Sequence, residues 1–330
     1  MKGAMIHSPL SVLEICAGAG GQSSGLEMAG FSHELAVEID KDAAATLRLN
    51  RPSWDVHEGD VREIDGKKFR GIDLLAGGVP CPPFSVAGKQ LGADDERDLF
   101  PEALRLVREA KPAAVMLENV KGLASARFAT YRQSILDELT SLGYMAHWQL
   151  LYSSEYGVPQ LRPRFILVAM KGDRLEHFEW PGAIDSPAMV GSTLRPLMGA
   201  NGWRGADRWA ARAHGIGPTI VGGSKKHGGA DLGPTRAKEA WLKLGVDGKG
   251  IADEAPSADQ PINFTPKLTN AMVALVQGFD PEWKFAGKKT STYRQIGNAF
   301  PPPVARSVGV AITRALGGRA ISRPTLTAVA

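Results

Sequence analysis

Between residues 12 and 170 the chain alternates short, nearly continuous apolar runs with longer segments whose apolar residues recur every three or four positions. The runs VLEI (12–15), ELAVEI (34–39), DLLAGG (73–78), AVMLEN (114–119), WQLLYS (148–153) and RFILVAM (164–170) predict strands buried on both faces. A strand with one solvated face would instead alternate apolar and polar residues. A further short strand is expected just before Asp60. KDAAATLRLN, DLFPEALRLVREA and FATYRQSILDELTSLG carry apolar residues at i, i+3, i+4 and i+7 and predict amphipathic helices. Strand and helix in strict alternation imply an α/β fold, a doubly wound and mostly parallel sheet covered on both faces. Such sheets bind ligands at the carboxyl ends of their strands, so the loops there are where chemistry is expected.

Past about residue 171 the alternation stops. From Arg195 to Lys249 there are 12 glycines and ten Lys or Arg against four Asp or Glu, with Trp203, Trp209 and Trp241 among the basic residues. That composition suits contact with a phosphate backbone and bases, and equally suits a glycine-rich β-type subdomain with a solvated face. Periodicity resumes near Leu268, and VARSVGVAITRAL (304–316) predicts a closing helix.

With 330 residues, 43% of them hydrophobic and 22% charged, the chain has the composition of a soluble globular protein of one large and one smaller domain. No run reaches the roughly 18 apolar residues of a membrane-spanning helix, and the N-terminus lacks a signal-peptide core, so a cytoplasmic protein without membrane contact is expected. The net charge of +4 is too small to identify a polyanionic partner by itself. The two cysteines, Cys16 and Cys81, form neither a disulfide framework nor a zinc-ligand pattern, and no metal is expected.

Three constellations carry candidate chemistry. The first predicted strand runs into EICAGAGGQSSGLEMAGF, a glycine-rich turn before a helix, with Glu38 ending the next strand 20 residues after Gly18. A carboxylate there can bind a ribose diol, which points to a nucleoside-containing cofactor. A dinucleotide fingerprint would need glycine where this chain has Ser23, which disfavours a nicotinamide dehydrogenase and leaves room for S-adenosylmethionine. Asp60 can accept from an adenine amine or can be a plain loop carboxylate, whereas Asp73 reads as a strand-start residue. Cys81, between Pro80 and Pro82 after the fourth strand, sits where a thiol can act as a nucleophile if a partner lowers its pKa or takes its proton. Glu118 and Asn119 end the fifth strand, and Arg162 and Arg164 precede a later one, so all converge on one sheet edge.

EICAGAGG, VEID, GDV, PCPPFS, ENV, QLRPR and YRQIGNAFPPPVA occur in the order and approximate spacing of the motif blocks of the DNA cytosine-5 methyltransferases, prokaryotic type, and the chain resembles that family over about residues 12–170 and 264–310. The resemblance implies an S-adenosylmethionine-dependent methyltransferase. Residues 1–177 would form the catalytic and cofactor-binding domain, 178–284 a smaller, loop-rich β-type target-recognition domain, and 285–330 a C-terminal segment completing the first.

It further implies that Cys81 attacks C6 of a flipped-out cytosine, that Glu118 assists at N3, and that Arg164 holds O2 while Arg162 contacts the backbone or supports the loop. Cys16, Gly18, Ala19, Gly20, Gly21, Glu38, Ile39, Asp60, Val61, Pro80 and Asn298 would surround the cofactor, and Arg97 would touch phosphate. The implied partner is double-stranded DNA, the implied state a monomer near the nucleoid, and the implied setting a restriction-modification system or an orphan methylase. Two departures stand out: the family usually has an aromatic residue in place of Cys16 and Gln in place of Pro82. A transfer RNA methyltransferase of the same fold is disfavoured because no cysteine follows Cys81. A catalytically silent DNA-binding subunit is disfavoured because Cys81 and Glu118 are both present.

Overall fold

The computed structural model describes residues 9–80, 98–223 and 229–317. Seven strands, β1 (Leu10–Ile15), β2 (Phe31–Glu38), β3 (Val56–Glu58), β4 (Leu74–Gly77), β5 (Ala114–Val120), β6 (Tyr144–Tyr152) and β7 (Pro163–Lys171), form one sheet in the order β3-β2-β1-β4-β5-β7-β6. The pairs from β3 to β5 are parallel, and β7 lies antiparallel between β5 and β6. The helices α1 (Gly21–Met28), α2 (Lys41–Asn50), α3 (Phe100–Ala110) and α4 (Ala129–Ser141) connect the strands.

Alternate strand residues serve two separate cores. Leu13, Leu75, Leu117 and Leu167 pack on one side with Leu106 of α3 and Leu139 of α4. Val12, Leu74, Met116 and Val168 pack on the other with Leu26 of α1 and with Val304, Val308 and Ile312 of the last helix. Both faces of the central strands are thus apolar, which is why they read as unbroken runs. β6 differs because it is an edge strand with alternating exposure, so only its more apolar second half stood out and its start at Tyr144 lies four residues before the expected one.

The region from 178 to 284 corrects the expectation of a β-type unit. Among its described residues there is no strand, only isolated bridges such as Ala252 with Thr269, and there are four helices: α5 (Val190–Met198), α6 (Ala206–Arg212), α7 (Thr235–Lys243) and α8 (Asn270–Val276). Val190, Leu194 and Met198 fall at helical spacing and are fully buried, while many of the glycines occupy the connections. The three tryptophans are not a nucleic-acid surface either. Trp203, Trp209 and Trp241 are at most 4% exposed and form the centre of a third core. The indoles of Trp203 and Trp209 donate to the carbonyls of Pro261 and Gly245, as buried indole N–H groups generally must find an acceptor. Tyr293 and Ile296 of α9 (Lys289–Asn298) belong to the same core, and α10 (Pro302–Ala315) then returns to the sheet against α1.

No helix among the described residues is long and apolar enough to cross a membrane. No cluster of three or more His, Cys, Asp or Glu residues there could hold a metal ion.

Candidate active site

A cavity of about 670 Å³ opens at the carboxyl edge of β1, β2 and β4. Cys16, Gly18, Ala19, Glu38, Ile39, Asp60, Val61, Pro80, Glu118 and Asn298 all line it, so ten residues expected at the site share one wall. Gly20 and Gly21 lie behind that wall. A Cβ on Gly20 would stand 2.5 Å from Cζ2 of Trp283, and one on Gly21 would stand 2.4 Å from the carbonyl oxygen of Phe300. The turn needs glycines because aromatic and backbone atoms from the far end of the chain press against it.

The turn itself is bent by left-handed residues, Cys16 at φ 51°, Gly18 at φ 57° and Gly20 at φ 86°. The backbone N–H of Gly18 donates to Glu38 Oε2 and that of Asp40 to Glu38 Oε1, each at 2.7 Å. These two bonds hold the Glu38 carboxyl at the cavity rim in one orientation. Burial pushes its pKa up, and the amides of Asp40 and Gly18 partly offset that. Asp60 behaves in the opposite way. The backbone N–H of Arg62 and then its guanidinium hold the Asp60 carboxyl below its usual range. Beside them Ile39 is 69% exposed and presents an apolar face to the cavity. Burial raises the Cys16 thiol well above its normal range, followed in effect by the charges of Glu38 and Asp60, so this sulfur is an inert wall.

Glu118 reaches the deep end from β5. Its Oε1 lies 2.6 Å from Arg164 Nε on β7, an ion pair whose Nε–H is not aligned for a hydrogen bond. Its Oε2 faces Gly78, where a Cβ would stand 3.4 Å away. Burial raises the Glu118 pKa, opposed first by Arg164 and then by Arg162. Asn119 does not share the cavity, since its Nδ2 donates to the carbonyl of Val79 at 2.7 Å and so ties β5 to the end of β4.

Arg162 is 1% exposed and its guanidinium donates to the carbonyls of Ile220, Gly297 and Ala299 at 2.7, 2.8 and 2.8 Å. It ties the walls together from behind, and neither Arg162 nor Arg164 is among the residues that line the cavity. Cys81, Pro82 and Arg97 lie outside the described residues. The residues on either side of that gap are joined, because the N–H of Leu99 donates to the carbonyl of Pro80.

Arg294, Gln295 and Phe300 also line the cavity and were not singled out from the sequence, although they flank Asn298 in the YRQIGNAF block. Gln295 is stitched to α2, accepting from the Thr46 hydroxyl at 2.7 Å. Trp283 closes the back, donating from Nε1 to the carbonyl of Ala19. Nothing around it in the sequence marks this residue.

The donor set can be tested against the expected cofactor. Glu38, Asp40 and Asp60 outnumber Arg62 and Arg294 on the cavity wall, an acidic balance that disfavours a pyrophosphate and suits ribose hydroxyls, an exocyclic amine and a cationic sulfur. A Cβ on Gly18, a residue of this wall, would meet no atom within 4 Å, so the glycine leaves space for a ligand. S-adenosylmethionine fits these residues.

Residues 10–314 match the family model described as C-5 cytosine-specific DNA methylase. The chain is 60% identical over 311 residues to the Type II methyltransferase M.NaeI of Lentzea aerocolonigenes, a match covering 93% of this chain and 75% of that one. It is 52% identical over 310 residues to the Type II methyltransferase M.NgoMIV of Neisseria gonorrhoeae, covering 92% and 97%. Among solved structures, the Entamoeba histolytica methyltransferase EhMeth superposes with a TM-score of 0.65 at 15% identity over 94% of this chain and 99% of that one, a likeness of fold.

Proposed function

This chain belongs to the C-5 cytosine-specific DNA methylases and is a DNA (cytosine-5-)-methyltransferase, and from that premise we propose that it methylates a cytosine extruded from duplex DNA through a covalent bond to Cys81. The observation that carries this reading is the buried Glu118–Arg164 pair beside an acidic cavity at the carboxyl edge of the sheet.

C5 of cytosine is a poor nucleophile, and addition of a thiolate to C6 makes it enamine-like. Glu118, whose pKa burial raises, can take up a proton and share it with N3 as electron density moves into the ring. Arg164 keeps that carboxyl in place, and with its Nη1 donating to the carbonyl of Pro163 its Nη2 would be the group offered to O2. Loss of the C5 proton and departure of the thiol restore the aromatic ring. A thiol cannot reach the face of a stacked base, so the nucleotide is flipped out at a cost of a few kcal/mol.

Glu38 would bind the ribose of S-adenosylmethionine, Asp60 the adenine amine, and Ile39 and Val61 the base, with Asn298 completing the wall. When bound, that cofactor supplies a methyl group on a cationic sulfur, which the acidic wall favours. The names of the two relatives above, both Type II methyltransferases, support a place in a restriction-modification system acting on DNA.

The test is methyl transfer from labelled S-adenosylmethionine to duplex DNA containing diverse sites, by wild type and Cys81→Ala. Wild-type labelling lost in the variant is expected, together with a covalent complex on DNA carrying 5-fluorocytosine at the target. An active enzyme that never traps on that analogue would contradict attack by Cys81.

A further inference from the structure

Gln277, at the end of α8, is fully buried and lies outside the cavity. Its Nε2 donates to the carbonyl of Ala299 at 2.6 Å and its Oε1 accepts from Gln160 Nε2 at 2.8 Å. Gln160, also fully buried, accepts in turn from the backbone N–H of Ile220 at 2.7 Å. Arg162 joins the same two backbone points, donating to the carbonyls of Ile220 and Ala299. Three side chains, two of them far from the third in sequence, therefore converge on two residues' peptide groups, one in the segment 217–223 and one in the turn that carries Asn298, Ala299 and Phe300 onto the cavity wall.

The two segments also touch directly, glycine on glycine. A Cβ on Gly297 would lie 2.5 Å from Cα of Gly222, and one on Gly222 would lie 2.5 Å from Asn298 Oδ1 and 2.6 Å from the carbonyl oxygen of Arg294. Asn298 Nδ2 donates to the carbonyl of Gly223 at 3.3 Å. Neither Gly222 nor Gly297 has a positive φ, so close approach and not backbone conformation requires glycine at both.

We propose that Gln277 is a positioning residue for cofactor binding, which through the Ala299 carbonyl and Gln160 locks the cavity wall 297–300 to the segment 217–223, so that a change in that segment alters cofactor affinity. The proposal rests on the methyltransferase reading. Without Gln277 the Ala299 carbonyl keeps Arg162 alone and the Gln160 amide keeps only the Val276 carbonyl at 3.2 Å, and buried groups that lose a partner have no water to make up the loss. Loss of the Gln277 donor lets the 297–300 turn relax and with it Asn298 and Phe300, while the groups that touch the base, Glu118 and Arg164, stay paired on β5 and β7.

The test compares wild type with Gln277→Met, which keeps the volume and removes both bonds; Gln277→Glu, which keeps the acceptor for Gln160 and removes the donor; and Gly222→Ala, which presses on Asn298 from outside the cavity. Each is assayed for KM towards S-adenosylmethionine and towards DNA, kcat, Tm and the Kd of S-adenosylhomocysteine. We expect all three to raise the cofactor KM and the S-adenosylhomocysteine Kd roughly tenfold, with kcat at saturating cofactor changed less than about threefold. A merely structural role would lower Tm without this split. Cofactor KM and Kd within about twofold of an active wild type in Gly222→Ala and in whichever Gln277 variants fold would overturn the proposal. A wild type that binds S-adenosylhomocysteine but labels no DNA would instead overturn the methyltransferase reading, leaving the Kd comparison to judge Gln277.

Discussion

Arg164 Nε lies 2.6 Å from Glu118 Oε1, with the two side chains only 9% and 11% exposed. The antiparallel pairing that sets Val120 opposite Arg164 and Glu118 opposite Ile166 brings these groups together from strands far apart in the chain. Removing one member of such a pair strands the other. Arg164→Met is expected to lower unfolding stability by about 3–5 kcal/mol, read from the urea midpoint. Glu118→Gln keeps the shape but loses the proton donor and strands Arg164 in turn, so its kcat is expected to fall by roughly 10²–10⁴ and its urea midpoint to fall as well.

The pH dependence follows from the same carboxyl. Burial raises the Glu118 pKa against the opposing charges of Arg164 and Arg162, so folding shifts this carboxyl towards its protonated form relative to the unfolded chain. The stability this contributes is fully present below the ordinary glutamate range and is lost as pH rises through the raised value. Activity should follow the same sign: single-turnover methyl transfer is expected to decline on the alkaline side as Glu118 loses its proton. In Glu118→Gln the residual rate should show no such limb, and an unchanged limb would assign it to another group.

Glu38 is expected to govern cofactor affinity and not chemistry. Its two oxygens are held by the N–H groups of Gly18 and Asp40, and Glu38→Gln turns one acceptor into a donor facing a donor. The Kd of S-adenosylhomocysteine, measured by calorimetry, should rise at least roughly tenfold. The single-turnover rate at saturating S-adenosylmethionine should change far less.

Gly20 offers a test of the packing behind the turn. Its φ is 86°, and a Cβ added there would stand 2.5 Å from Trp283 Cζ2 and 2.9 Å from Leu47 Cδ2, so Gly20→Ala combines backbone strain with overpacking. A loss of about 2–4 kcal/mol is expected by thermal or urea unfolding. Gly18→Ala, with no atom within 4 Å of its Cβ, avoids that overpacking. It should instead act on cofactor Kd.

The central sheet was legible because its strands are apolar on both faces, and the motif blocks lie at strand ends where ligands bind. Glu38, Asp60, Glu118 and Asn298 could be assigned to one cavity from those blocks, and the structure brings them there. The helical insert was not legible, because glycine frequency suggested strands and turns while its core depends on tryptophans scattered between Trp203 and Trp241. The anchoring of Arg162 was not legible for a different reason: its acceptors are three carbonyls from segments 58 to 137 residues away, which no local spacing marks. Trp283 and Gln277 act through the carbonyls of Ala19 and Ala299, contacts that no local pattern records.

One consequence concerns the ribosome. The cavity wall begins at Cys16 and is completed only by Arg294 to Phe300, while Trp283 and Phe300 also brace the glycine turn that follows the first strand. At about 5–20 residues per second, the stretch from Glu118 to Arg294 takes roughly 10–35 s to synthesise. During that interval the cavity lacks its last wall. A nascent chain would therefore have no complete place for its cofactor, and the molecule would acquire the capacity to mark DNA only once synthesis has passed Phe300.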